Sequence, residues 1–143
     1  MATAARIDPY SSFLFRVEID GITQGHFREC TGLGSSVEVI ENPEGGKGQV
    51  SKIPGRVKYP NIVLKWGLTD STELYEWHRA ALNGNIQRRH GSIVQLDFAG
   101  DEKARWTFTD GWPTKWDGTS YNSGGSDLSV ETLEIAHEGV ERA

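Results

Sequence analysis

One cysteine, Cys30, and one methionine, Met1, stand in 143 residues. A lone cysteine excludes an intramolecular disulfide and any cysteine-based metal cluster within one chain. It fits folding in a reducing compartment. Long hydrophobic runs are also missing. None approaches the ~18 apolar residues of a membrane span, so direct membrane insertion by the monomer is not expected. Met1 to Asp8 hold no apolar stretch of signal-peptide length. The expectation is a product made in the bacterial cytoplasm without a signal peptide. An excess of positive charge is absent too. The formal net charge of −5 argues against general nucleic-acid binding, which needs a basic face. What is abundant is glycine, 17 residues, against an average near 7%. Many turns and short strands follow. The length predicts a single domain, 1–143, long enough to bury roughly 70% of its unfolded surface.

The apolar pattern is mostly of period two. Phe13, Phe15, Val17 and Ile19 alternate with Arg16, Glu18 and Asp20, which predicts a half-buried strand. Asp20-Gly21 is a hairpin signal. A short strand is expected around Phe27 to Cys30, then Val37 with Val39, then Ile62, Leu64 and Trp66. Ser92 to Phe98, Ala104 to Phe108 and Leu128 to Ala136 complete the set, and Ala99 to Glu102 reads as a hairpin turn. One segment has helical spacing instead: Leu74, Trp77, His78, Ala81 and Leu82. Asp70 with Glu73 reads as a capping box, and Gly84 as the stop, giving a helix over about 71–83. A second irregular stretch is expected from Gly111 to Asp127. The prediction is mainly β: an antiparallel sandwich or barrel with one packed α-helix.

Between two of these strands lies a long segment, about 42–61. Pro43, Pro54, Pro60 and several glycines interrupt it, so it reads as a long loop rather than a strand or helix. Structureless connections of that length are usually functional or disordered. It carries Lys47, Lys52, Arg56 and Lys58 against Glu44 alone, while the acid excess lies in the C-terminal half. A basic arm that grips another protein surface is the natural reading, which makes it the expected assembly loop.

Sites of chemistry are hard to assemble. His26, His78, His90 and His137 show no metal-ligand spacing, and His78 reads as a core or rim histidine. Gly45-Gly46-Lys47-Gly48 lacks the Ser or Thr and the leading glycine of a phosphate loop. No Gly-x-Ser-x-Gly elbow occurs. Glu131 and Glu134 read as a solvated face rather than a glycosidase pair. Trp106 and Phe108 read as core. Trp112 and Trp116 would suit either sugar stacking or interface packing, the latter being preferred. No catalytic residue, metal site or cofactor is expected, and no enzyme.

Several stretches, in order, resemble one family. They are Asp8-Pro9-Tyr10 with Phe13 to Gly21; Cys30-Thr31-Gly32-Leu33 followed by Val37 to Glu41; Lys52-Ile53-Pro54-Gly55-Arg56-Val57-Lys58-Tyr59; and Lys65-Trp66-Gly67-Leu68-Thr69-Asp70-Ser71. Leu74, Tyr75 and Trp77 follow, then Arg88 to Val94, Trp106 to Pro113 and Val130 to Gly139. This series resembles the inner tube, or tail tube, proteins of contractile phage tails, tailocins and extracellular injection systems. The small size is most similar to the injection-system and tailocin members.

The resemblance implies a structural subunit that stacks as hexameric rings into a hollow tube inside a contractile sheath. Its partners would be further copies of itself, the sheath protein, baseplate or tube-initiator and cap proteins, and effector cargo or DNA in the lumen. The particle would be phage tail-like, held inside the cell or released. Inter-subunit or inter-ring contact is expected at Lys47, Lys52, Arg56 and Lys58, meeting Glu131 and Glu134. Glu38 and Lys65 are candidate lumen-facing residues, on strand faces opposite Val39 and Leu64, both expected in the core. Two alternatives stay open: a tube-initiating baseplate protein of the same fold, and a carbohydrate-binding module using Trp112 and Trp116.

Overall fold

A computed structural model describes residues 8–23, 25–43 and 50–143. Its elements are β1 (Phe15–Ile19), β2 (Glu29–Thr31), β3 (Ser36–Pro43), β4 (Val50–Lys58) and β5 (Ile62–Gly67), then α1 (Glu73–Leu82), β6 (Arg89–Leu96), β7 (Glu102–Asp117), β8 (Val130–Ala136) and β9 (Gly139–Arg142). The strands pair antiparallel in the order β1-β6-β7-β8-β5-β2, with β9 on β7. β3 and β4 form a separate ribbon.

The long strand β7 belongs to both halves of the fold. Its first part pairs with β6 and β9, and its second part, from Trp112, pairs with β8. Between them Asp110 takes a positive φ of 50°. Here the sheet bends, so its two halves face each other across one core. Val17, Ile19, Ile93 and Phe108 come from one half, and Ile62, Leu64, Trp66, Leu133 and Ile135 from the other. Phe108 sits at the bend and is fully buried. Both neighbours that touch its ring edge must lack a side chain. A Cβ on Gly91 would lie 2.4 Å from the ring, and one on Gly111 2.7 Å.

The helix closes the core with Leu74 and Trp77. His78 is buried, and its Nδ1 lies 3.2 Å from the Pro113 carbonyl, which joins α1 to β7. The helix starts later than the capping box suggests. Thr72 occupies the N-cap position without a side-chain bond. Glu73 instead accepts from the Thr23 backbone N–H at 2.6 Å and from the Thr23 hydroxyl. A tertiary partner has outcompeted the local one, and it ties the helix start to the loop after β1. Gly84, at φ 87°, ends the last turn as expected, while Leu82 is exposed rather than part of the packed stripe.

Other expectations need correction. The segment over 42–61 is not a structureless loop. Residues 50–58 form a full strand paired with 36–43, and the tip, 44–49, lies outside the described residues. Proline is tolerated because each strand of a two-stranded ribbon has a free edge and the register slips between Val37 and Val39. Residues 111–117 are strand, not irregular coil. Phe13 lies outside β1 and is exposed. Val39 faces solvent, not the core, and Trp106 is half-buried. β9 went unforeseen.

Phe108→Ala is expected to destabilise the fold by about 3–5 kcal/mol, since a large ring leaves a cavity that two glycine backbones cannot fill. Chemical denaturation checks this; a loss under about 1 kcal/mol would show that the bend does not rest on the ring.

Candidate assembly surface

Folding the sheet over leaves it open on one side. β1 and β2 end the strand order, and among the described residues each has a single partner strand. Their outer backbone groups are free to pair with another chain. Between them runs a groove of about 410 Å³, lined by Phe13, Phe15, Cys30, Leu33, Ile93 and Trp106, with Arg28, Glu29 and Gln95 at polar positions. Cys30 is half-buried there, and burial, then the charge of Glu29, pushes its thiol up to about 12.

The outer face at β1 is charged but internally paired. Arg105 donates to Glu18 at 2.9 Å and to Glu102 at 2.6 Å, and Arg16 donates to Glu18 at 2.9 Å. The Arg105 guanidinium holds both carboxyl groups below their ordinary range. Val94, in register between Arg16 and Arg105, is fully buried. The long arginine stems can cover an apolar residue while their charged heads stay wet. Exposed pairs like these add little stability. They do fix β1 against β7 across β6.

The ribbon β3–β4 is the opposite case. Val37, Val39, Ile40, Val50, Ile53 and Val57 are all exposed. Val39 lies opposite Pro54 and Ile40 opposite Ile53, so apolar side chains occupy both faces. An isolated two-stranded ribbon is marginal in water. Contiguous exposed apolar surface of this kind marks an interaction site. The ribbon's charges are interspersed among these residues along both strands. Lys58 lies 3.4 Å from Glu38, and Lys52 pairs in register with Glu41. Arg56 is exposed.

The anticipated contact residues therefore sort differently. Lys52, Arg56 and Lys58 do lie together on β4, while Lys47 falls outside the described residues. Glu131 and Glu134 do not share a face, because they point to opposite sides of β8. Glu131 is buried and accepts from the Trp116 indole N–H at 2.9 Å. Glu134 accepts from Asn61 at 2.9 Å. Lys65 lies on the outer face of β5 beside Glu29, at 3.5 Å, with Thr132 across from it on β8. Around Lys65 that face is largely polar, with Glu134 on β8 and with Lys115 and Asp117 3.6 Å apart on β7, though Val63 and Val130 also lie on it. Glu38 belongs to the ribbon, so the structure does not bring it together with Lys65. The aliphatic ribbon was missed from sequence. Its signal was present: β-branched residues placed on either side of a Pro- and Gly-rich centre.

Trp116 packs on Tyr75 with ring centroids 4.9 Å apart, and Trp112 is half-buried. The Trp116 ring and indole N–H already have protein partners, which leaves Trp116 poorly placed to stack on a sugar. Among the described residues no group of three or more His, Cys, Asp or Glu is placed to hold a metal, and no helix is long and apolar enough to cross a membrane.

The sequence profile of the family described as T4-like virus tail tube protein gp19 matches residues 11–141. No curated protein matches the chain. Several solved structures share its fold. A chain of the PVC sheath/tube terminator, from an extracellular contractile injection system in the extended state, superposes with a TM-score of 0.88 at 23% identity, covering 97% of this chain and 99% of its own. A chain of the anti-feeding prophage baseplate, six-fold symmetrised, gives 0.87 at 21% identity, covering 96% and 97%. A chain of the PVC sheath–tube complex gives 0.84 at 23%, covering 94% and 91%.

The groove makes a prediction of its own. With its pKa near 12 against an ordinary 9, the Cys30 thiol holds about a thousandfold less thiolate at neutral pH than a free one. A maleimide or iodoacetamide should modify the native chain slowly and the denatured chain fast; native and denatured rates within tenfold of each other would contradict the burial.

Proposed function

The chain belongs to the tail tube protein family, and from that premise we propose that it is the repeating subunit of a hollow inner tube, stacked as hexameric rings inside a contractile sheath. The observation that carries this reading is the family match over 11–141 on a fold whose sheet is open at both edges. Copies joined edge to edge satisfy the free strands and close a barrel around a channel. Rings stacked head to tail present different surfaces to each other, so the contact propagates as a filament. The role is structural, with no reaction assigned to any residue.

The ribbon is the grip between copies. A surface with β-branched residues on both faces is covered fully only when it is clasped from two sides. Lys52, Arg56 and Lys58, with Lys47 at the tip, then give register at the rim of that contact more than they give strength. Glu134 remains a candidate acidic partner. Glu131 is committed within its own chain and no longer serves. The polar outer face around Lys65 suits the lumen, since a conduit must not hold what passes through it. Glu38 would line it only where the ribbon reaches inward.

Partners on this reading are the sheath outside, a baseplate initiator below, a cap above, and effector cargo or DNA within. The protein would be made in the bacterial cytoplasm and delivered into a phage tail-like particle, retained or released. The fold likeness to a baseplate chain and to a terminator chain is as close as to a tube complex. A single-ring initiator is therefore the second reading.

Negative-stain electron microscopy of the purified chain tests both. Six-fold rings that grow into filaments are expected; rings that never stack favour the initiator, and a persistent monomer removes the proposal. Lys52→Glu with Arg56→Glu should leave folded rings and abolish long filaments, and normal tubes from that double variant would discard the basic rim. In assembled tubes a cysteine at Glu38 should resist a bulky thiol reagent, and rapid labelling would exclude it from the lumen.

A further inference from the structure

Among the described residues Glu131 is the one buried carboxylate, at 8% exposure, and no lysine, arginine or histidine pairs with it. Its bond from the Trp116 indole N–H uses Oε2 alone. That bond holds Glu131 within its own chain without neutralising it, because an indole carries no net charge. Oε1 has no partner among the described residues. It is not sealed off either: the one side-chain polar atom there that is both sealed and unpaired is Nε of Arg89. A buried charge is ordinarily paired, since leaving it alone is costly.

The carboxylate opens on a cavity of about 190 Å³, lined by Leu68, Tyr75, Trp116 and Glu131 together with Thr and Ser residues of the link between β5 and α1. Cavities that hold drug-sized molecules run to roughly 300–1,000 Å³, so this one suits a slender ligand or a single side chain. Glu131 is the only charged side chain lining it. The Tyr75 and Trp116 rings incline at 60° with centroids 4.9 Å apart, so neither covers the other as parallel rings would. Aromatic faces attract cations. The start of α1 is a positive helix end close by, but Glu73 and Glu76 stand in its first turn. No backbone N–H from 68–75 bonds to Glu131. The cavity is acidic and aromatic, and none of its lining residues is a base.

We propose that this cavity is a seat for a primary alkylammonium group. The ammonium donates to Oε1 of Glu131, and its methylene chain lies against Leu68, Tyr75 and Trp116. An ammonium has three donors and no acceptor, which matches a carboxylate with lone pairs to spare. An anion is repelled by Glu131, and a neutral alcohol leaves its charge unpaired. A free amine and a lysine side chain bring the same chemistry to the cavity. The seat is independent of the tube reading.

The probe is n-butylammonium, followed by saturation-transfer difference NMR on the purified chain, a measurement that works for single chains and large assemblies alike. Transfer to its methylenes is expected, with a roughly millimolar affinity for so small a ligand. Uncharged 1-butanol should bind about tenfold more weakly. Glu131→Gln keeps the size and an acceptor for the Trp116 N–H, and should weaken butylammonium about tenfold. Tyr75→Leu should weaken it severalfold. Thermal unfolding gives a second readout. Butylammonium chloride should raise the midpoint of the unaltered chain above that in equal sodium chloride, and should not do so for Glu131→Gln. Nα-acetyl-lysine methylamide separates the two sources. If it displaces the probe, a lysine within a polypeptide can enter the seat; if it does not, the seat takes free amines. Absent transfer, equal binding of 1-butanol, or binding unchanged in Glu131→Gln overturns the proposal, whether or not the chain forms rings.

Discussion

A single strand has to serve two sheets. β7 pairs with β6 and β9 through its first part and with β8 through its last, and the sheet turns where the pairing changes hands. The turn needs a left-handed residue, supplied by Asp110, and room for the Phe108 ring, supplied by Gly91 and Gly111. Once the bend is made, much else is determined. The buried residues of β5 and β8 must face those of β1 and β6. The carbonyl of Pro113, just past the bend, meets His78 and seats the helix. β1 and β2, the first and last strands of the order, are left flanking one open groove.

That openness sets the energetics of the monomer. A closed barrel would satisfy every strand edge and would also have nothing left to join. Here the two free edges and the ribbon are postponed contacts. The ribbon exposes aliphatic residues on both faces and gains little from its own single pairing. Ordering it costs conformational entropy, which burial in a partner can offset. On the proposed reading, folding and assembly would be coupled at the ribbon, whereas the core has its own buried cluster and helix.

Much of the core was legible because burial leaves a period. Val17 with Ile19, and Ile62 with Leu64 and Trp66, alternate and are buried. The helix was legible from Leu74, Trp77 and His78 at helical spacing. Its start was not, because Glu73 bonds to Thr23, fifty residues away in sequence. The ribbon was misread because proline and glycine signal loops in a compact domain, whereas a two-stranded ribbon has free edges that admit them. Glu131 was misread for a related reason. A carboxylate in a strand looks solvated until a distant indole, here Trp116, is found to satisfy it. The family resemblance, by contrast, was carried by ordered short stretches along the whole chain, and it needed no knowledge of which face each residue takes.

The division of charge explains why assembly should fall to apolar contacts. Most acids and bases on the sheet faces are already matched: Glu18 and Glu102 with Arg105, Glu29 with Lys65, and Asp97 with Lys103. Such exposed pairs weaken as salt rises, and they contribute little when alone. A filament held mainly by them would loosen whenever its surroundings changed ionic strength. Burial of valine and isoleucine on the ribbon does not depend on salt screening in that way. The few exposed cations, such as Arg56 on the ribbon, are then suited to choosing register rather than supplying strength. On the proposed tube reading, a conduit assembled this way would keep its matched charges on the sheet faces and bury the exposed aliphatic residues of the ribbon where copies meet.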